Sequence, residues 1–526
     1  MSLDLCIYGG TSAGVVAAIA AAKQKRSVLL IEPGRRLGGI SSGGLGFTDI
    51  GNKDAIGGMS REFYRRLGKH YGKEEVWTFE PHVAEQIFRD WLAEAGVKVL
   101  LEHRLAEAEN DRGRIRRILL EHVPADAFNA PGPAANLREH VPVEASTYID
   151  ASYEGDLMAA ANVSFTVGRE SASKYGESLN GIRANTPKHQ FLVPVDPYVK
   201  SGDPASGLLP LVQGTDIGTP GDGDHRVQAY NFRLCLTAVP VNRIPIPPPQ
   251  QYQAQTYELL GRYLDALRAL GETPNLAMLL NVNMVPNRKT DINNNGAVST
   301  DFIGESWSYP QADYQSRRRI WHAHQVYTHG LLHFLRTDPR VPAEIRRYVG
   351  FLGLCKDEFT DTHGWPHQLY IREARRMVSP FVITQSVCEH KSGSGSSGSA
   401  PADDSIGLAS YNMDSHNCQR VVRNGFAHNE GDVQAPPAGP YPISYRAITP
   451  AAGECENLLV PVCLSASHIA YGSVRMEPVF MVLGQSAAAA VSLALERNTG
   501  VQDVDVTVLR QRLREAGQVL DWERKA

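Results

Sequence analysis

The chain has 526 residues, with 53 Lys and Arg against 57 Asp and Glu and a formal charge of -4. That length exceeds one small core, since domains usually run to about 100–200 residues, so two lobes are expected. The slight acidity disfavours a nucleic-acid binder, which needs a basic surface, and 42% hydrophobic with 21% charged residues excludes a largely disordered chain.

Cys6, Cys235, Cys355, Cys388, Cys418, Cys455 and Cys463 form no C-x-x-C pair. This argues against a zinc ribbon or a disulfide scaffold and for reduced thiols in a cytoplasm. The N-terminus runs into an apolar stretch without the features of a secretory signal. The longest apolar stretch, 479–495, is interrupted by Gly484 and Gln485, so no membrane span is expected.

The opening reads as strand 3–8, glycine turn 9–14, helix 15–23 and strand 27–31, a βαβ unit of about 30 residues. Periodicity predicts helices over 60–71 and 80–95, the second with Pro81 in its first turn. Segments in 97–121, broken at Asp111-Arg112-Gly113, read as a small β-meander, and 125–140 as a loop. From about residue 170 to 440 the pattern is irregular, which suggests a substrate lobe. It holds predicted helices at 252–270, 313–336 and 342–352, an extended proline run at 245–249 and a flexible Gly/Ser loop at 391–400. Helices at 478–496 and 506–516 follow.

In Gly9-Gly10-Thr11-Ser12-Ala13-Gly14, Gly9 and Gly14 hold the outer positions of G-x-G-x-x-G and Thr11 replaces the middle glycine. That glycine normally admits a pyrophosphate to the backbone, so Thr11 must point away or donate its hydroxyl to phosphate. The turn opens a helix whose N-terminus, through Ser12 and Ala13, can hold an anion. Glu32, followed by Pro33, ends the second strand where a carboxylate accepts hydrogen bonds from an adenosine ribose and repels a 2′-phosphate. Beyond it, Arg36 and the doublets Gly38-Gly39 and Gly43-Gly44, with Ser42 between, put backbone N–H groups where a flat ligand or a diphosphate can lie.

The stretches GGTSAGVVAAIAAA, IEPGRRLGGISSGGLGFTD, IGGMSREFYRRL, FEPHVAEQIF, YIDASYEGDLMAAA, DEFTDTHGWPHQLYIREARRM, YNMDSHNCQR and SHIAYGSVRMEPVFMVLGQSAAAA resemble the FAD-dependent oxidoreductases of the glutathione-reductase-like fold. More closely, the chain resembles the bacterial subgroup often labelled xanthan lyase. The resemblance implies FAD and an α/β architecture: a discontinuous Rossmann-like FAD-binding domain, 1–170 plus 441–526, around an inserted mixed α+β substrate lobe, 171–440. It places Asp150, Ala151, Glu154 and Gly155 on the adenine and pyrophosphate side. It makes 475–490, with Arg475, Met476, Glu477, Pro478 and Met481, the last flavin-binding segment. A helix N-terminus aimed at the flavin would favour its reduced anion, and Gly484, Ala487 and Ala488 are small enough for close helix approach.

A flavin supplies the redox chemistry, so the protein need add only binding, orientation and a proton acceptor. His416, in Asp414-Ser415-His416-Asn417, is the leading base, with Asp414 to orient it. His468 precedes the last long helix and would serve as a second base or cap the flavin pocket. Arg372, with Arg375 and Arg376 in alternating or helical presentation, suits capture of a carboxylate or phosphate. The turn His363-Gly364-Trp365-Pro366-His367 reads as a rigid turn, and 289–296 with Asp301 as a polar loop without EF-hand spacing. His322, His324, His329 and His333 lack the Glu of H-E-x-x-H, so no metal site is expected.

The expected function is FAD-dependent oxidation of a small organic substrate, sugar-like or a secondary metabolite, by hydride transfer to flavin. Oxygen, a quinone or a carrier protein would take the electrons, because no second dinucleotide motif serves NAD(P)H. A redox-neutral flavin-dependent lyase or isomerase and a non-catalytic flavin-bearing electron-transfer protein remain alternatives. A homo-oligomer is compatible with the sequence.

Overall fold

The computed structural model describes residues 3–132, 140–183, 185–186, 188–389 and 403–522; the expected Gly/Ser loop at 391–400 lies outside them. Two compact units divide the chain. The first comprises Met1–Val167, Glu373–Asp414 and Gln434–Ala526, the second Gly168–Arg372 and Ser415–Val433. Residues 373–414 and 434–440, expected in the substrate lobe, therefore cluster with the first unit.

The first unit opens with strand β1 (Leu3–Tyr8), helix α1 (Ser12–Lys23) and strand β2 (Val28–Glu32). Helix α1 starts three residues before the expected 15 because Thr11 caps it, accepting from the Gly14 N–H. Helices α2 (Gly58–His70) and α3 (Pro81–Glu94) follow, then strands β3 (Lys98–Leu101), β4 (His103–Asp111) and β5 (Arg114–His122). Arg112 and Gly113 both take positive φ, 52° and 78°, which matches the two-residue hairpin that joins β4 to β5. Strands β6 (Val141–Val143) and β7 (Ala145–Asp150) come next.

A parallel sheet runs in the order Leu458–Leu459, β7, β1, β2, β3, and an antiparallel meander in the order β4, β5, β6. Cys6, Tyr8, Leu29 and Ile31 of the sheet share one apolar cluster with Ile115, Ile118 and Leu120 of the meander. All seven cysteines are buried and unbridged.

The helix Glu477–Arg497 is long and apolar enough to cross a membrane, but 94% of its apolar window is buried inside the protein. Gly484 lets it lie against α1: a Cβ there would stand 2.3 Å from the Ala13 carbonyl oxygen.

In the second unit an antiparallel sheet runs Arg243–Pro245, Gly353–Cys355, Leu236–Thr237, Lys289–Asn294, Leu280–Val285. Residues 289–294, expected in a loop, thus form a strand. Their polar side chains are sheltered by partners: Lys289 by Glu358 at 2.7 Å and Asp291 by Arg233 at 2.7 Å. Residues 371–375 are neither strand nor helix, so Arg372 and Arg376 do not share a helical face. The unit also holds the helices Glu258–Ala269, Tyr314–Thr337 and Ala343–Phe351.

Gly484→Ala is expected to lower the stability of the first unit by about 1–3 kcal/mol, the usual cost of overpacking a tight contact. An unchanged denaturation midpoint would contradict the close approach of the two helices.

Candidate functional site

The first unit builds a cradle from the β1–α1 turn. Gly9 has φ 104°, and a Cβ on Gly14 would stand 1.9 Å from the Gly9 carbonyl oxygen, so neither position admits a side chain. Thr11 points away from the turn: its hydroxyl donates to the Ala151 carbonyl at 2.7 Å. The N–H groups of Ser12 and Ala13 meet no acceptor among the described residues, which leaves the helix N-terminus open to an anion.

Glu32 Oε2 accepts from the Gly10 N–H at 2.8 Å and Oε1 from the Gly34 N–H at 2.6 Å. A carboxylate offers about four lone-pair sites, so two remain for ribose hydroxyls. Burial pushes this carboxyl up to about 7, against the pull of those two N–H groups, with Glu154 adding repulsion. These residues fit the diphosphate and ribose of FAD.

Other expected cofactor residues make contacts within the protein. Asp150 accepts from the Ser152 hydroxyl at 2.6 Å, the Ser152 N–H at 3.0 Å and the Met158 N–H at 2.8 Å. It thereby fixes the turn through Ala151, Glu154 and Gly155 into the helix Asp156–Ala160, and burial pushes it up to about 6. Arg36 binds Glu85 at 2.9 Å. Ser42 donates to the Leu37 carbonyl at 2.5 Å. What approaches Gly38 and Gly39 is protein: added Cβ atoms would stand 2.6 Å from Phe88 and 2.2 Å from the Tyr153 hydroxyl. Gly44 takes φ 128°, and the Gly43 N–H donates to the Ile40 carbonyl at 3.1 Å. No specific contact singles out Pro33.

Met476 occupies the position before the helix Glu477–Arg497 without a side-chain capping bond, with Pro478 in the first turn and Met481 buried. Glu477, 4% exposed, accepts from the Tyr153 hydroxyl at 2.8 Å and the Ser41 hydroxyl at 2.8 Å. Burial pushes its carboxyl up, against the hydroxyls of Ser12, Tyr153 and Ser41. A protonated Glu477 at this helix start can donate as well as accept. Arg475 donates to the Asp414 carboxylate at 3.2 Å, so Asp414 serves Arg475. His468 Nδ1 sits 2.8 Å from Glu373, which also pairs with Arg376, and all three are almost fully buried.

The second unit holds the other histidine. His416 Nδ1 lies 2.5 Å from Asp301 Oδ2, with His416 7% and Asp301 2% exposed. Arg372 binds the other oxygen, Asp301 Oδ1, at 3.0 Å and donates to the Ala229 carbonyl and to Asn293 Oδ1. Burial raises the Asp301 carboxyl, but Arg372, then His416 and His189, outweigh it and hold it below the usual carboxylate range. An ionised Asp301 can only accept, so the Nδ1–H of His416 donates to it and Nε2 is the nitrogen left to act as a base. The His189 ring lies 6.2 Å from that of His416, nearly parallel.

The arginines expected to capture substrate are thus committed to carboxylates of the chain: Arg372 to Asp301, Arg375 to Asp156 and Arg376 to Glu373. Sequence reasoning missed Asp301 as the partner of His416, because 115 residues separate them. It also missed Tyr153 and Ser41 beside Glu477, although both lie inside motifs that carry the resemblance.

The family model described as FAD dependent oxidoreductase matches residues 4–513. No curated protein matches the chain. Among solved structures, THI4 of Thermovibrio ammonificans is 16% identical with a TM-score of 0.23, over 35% of this chain and 66% of that one. A flavoprotein/dehydrogenase of Cytophaga hutchinsonii is 16% identical with a TM-score of 0.23, over 32% and 44%. A glycerol-3-phosphate dehydrogenase of Bacillus halodurans complexed with FAD is 11% identical with a TM-score of 0.23, over 34% and 41%. The chain spans less than two thirds of the length of these structures, and likeness at this level adds nothing to the family match.

Because the folded value of Glu32, about 7, lies above the ordinary 4.5, the folded state binds more protons between those values and its stability falls as pH rises through that window. Glu32→Gln is expected to flatten the melting-temperature profile of the FAD-free protein there and to weaken FAD retention. The wild-type slope in the variant would contradict this assignment.

Proposed function

The chain belongs to the FAD-dependent oxidoreductase family, FAD is its cofactor, and from that premise we propose that it oxidises a hydroxyl-bearing small molecule to a carbonyl compound, with His416 as proton acceptor. When bound, FAD would supply the two-electron acceptor for the hydride, with the β1–α1 turn and Glu32 as the residues that would hold its diphosphate and ribose. The observation that carries the reading is the buried contact of His416 Nδ1 with Asp301 at 2.5 Å, itself clamped by Arg372 at 3.0 Å. The hydroxyl proton passes to His416 Nε2 as the C–H hydride leaves and the C=O bond forms. Asp301 fixes the tautomer and stabilises the imidazolium, and Arg372 fixes Asp301.

The parallel sheet followed by an antiparallel meander supports a place in the glutathione-reductase-like fold. An elimination of the kind the xanthan lyase label names has no residue assigned to it, so oxidation is the reading we keep. Sugars and secondary metabolites are the substrate classes, the final electron acceptor is oxygen, a quinone or a carrier protein, and buried thiols suit a cytoplasmic setting.

Anaerobic mixing with a panel of aldoses, uronic acids and phenolic or polycyclic alcohols is expected to bleach the flavin with at least one class. His416→Gln is expected to slow that bleaching by about 10²–10⁴-fold, the usual contribution of a general base, while FAD content stays at the wild-type level. Bleaching at the wild-type rate would remove His416 from the reaction.

A further inference from the structure

A sheet edge exposes backbone N–H and C=O groups that pair readily with another strand, and folded chains blunt such edges with charge, proline or shortness. All but one of the edges in the two five-stranded sheets and the three-stranded meander are blunted in this way. In the parallel sheet the edges are Leu458–Leu459, two residues long, and β3, which carries Lys98. In the meander they are β4, with Arg104, Glu107, Glu109 and Asp111, and β6, with Pro142. In the antiparallel sheet of the second unit, the edge strand Arg243–Pro245 carries both an arginine and a proline.

The exception is the other edge of that sheet, Leu280–Val285, whose sequence LNVNMV holds neither a charge nor a proline. The neutral stretch is longer than the strand: no Asp, Glu, Lys or Arg occurs from 273 to 287. Met284 stands 56% exposed and Asn281 is exposed as well, so this edge faces solvent.

The ladder decides which backbone groups point outward. Ile292, opposite Val282, spends its N–H and its C=O on Leu234, at 3.0 and 3.2 Å. Val282 and Ile292 are therefore a non-hydrogen-bonded pair, and the N–H and C=O of Val282 turn off the edge. By alternation those of Leu280 and Met284 do the same. The outward groups of Val282 and Met284 meet no partner among the described residues, and neither do the side-chain amides of Asn281 and Asn283.

The order of side chains along the strand selects a second copy of this chain as the partner. A two-fold axis at Val282 pairs the strand antiparallel with itself. Val282 then meets its own counterpart, Leu280 the partner's Met284, and Asn281 the partner's Asn283. The outward N–H and C=O groups fall on the same positions in both strands, so each donor faces an acceptor. One face of the joint ladder pairs apolar side chains and the other pairs amides, and no like charges meet. An acidic or basic partner would find no countercharge on this edge.

We propose that Leu280–Val285 is the interface of a two-fold dimer, in which the antiparallel sheets of two copies join into one across Val282. The test uses the FAD-loaded full-length protein in sedimentation velocity at micromolar concentration, where the wild type is expected to run as a dimer. Val282→Lys sets two like charges opposite each other, and Met284→Pro removes an outward N–H that the chain's own ladder does not use. Each is expected to weaken the dimer at least about tenfold, while FAD content and the far-UV circular dichroism stay at wild-type values.

Oxidation with diamide reads the register. Val282→Cys is expected to give a covalent dimer, because hydrogen-bonded antiparallel partners stand about 5.5 Å apart at Cα, within disulfide reach. Asn281→Cys has no cysteine opposite it and is expected to run as a monomer on denaturing electrophoresis. A wild-type monomer at micromolar concentration, a dimer unchanged in both Val282→Lys and Met284→Pro, or cross-linking through Asn281→Cys in preference to Val282→Cys would overturn the proposal.

Discussion

Two glycines let the first helix lie against backbone on both sides: Gly14 faces the Gly9 carbonyl, and Gly484 lets the last long helix reach the Ala13 carbonyl. From that crowding follows the placement of everything around the cofactor cradle. Helix α1 can start at Ser12 because Thr11 turns its hydroxyl to Ala151 and its oxygen to the Gly14 N–H. Its first N–H groups stay open to an anion, and Glu32 is drawn onto Gly10 at the mouth of the same turn. The membrane-like composition of the helix Glu477–Arg497 has the same origin, since a helix packed on its neighbours all round is apolar all round.

The second unit is held by a different device. Its backbone is irregular over long stretches, and buried guanidinium groups satisfy carbonyls that no sheet ladder reaches. Arg372 donates to Ala229, Arg317 to Tyr309 and Pro310, and Arg420 to Leu211 and Ala297. Where such a guanidinium also pairs with a buried carboxylate, as Arg372 does with Asp301, removing one partner usually costs about 3–5 kcal/mol, because it strands the other charge. The Asp301–Arg372 pair therefore fixes His416 by the same means that hold the loops.

The N-terminal βαβ unit and the long helices were legible because their information is local: a glycine turn, an alanine-rich run, a 3.6-residue period. The first helix starts early because Thr11 caps it, whereas the helix expected over 252–270 begins only at Glu258, without a side-chain cap. The pairing of His416 with Asp301 was not legible, since 115 residues lie between them and Asp414, two residues away, offered a nearer carboxylate. The strand Lys289–Asn294 and the burial of Arg372 and Arg376 escaped for a related reason. A polar run reads as solvent-exposed unless its distant partners, here Glu358, Arg233, Asp301 and Glu373, are known.

In the proposed reading the first unit would hold FAD and the second supplies His416, which contacts the buried Asp301 at 2.5 Å. The claim that stands or falls with this account is that His416 and Asp301 act as one group. The most direct measurement is the anaerobic rate of flavin reduction in His416→Gln, Asp301→Asn and the double variant, with FAD content verified in each. Residues that work as a unit are strongly non-additive. The account requires the double variant to be no slower than His416→Gln alone, and rate losses that multiply would contradict it.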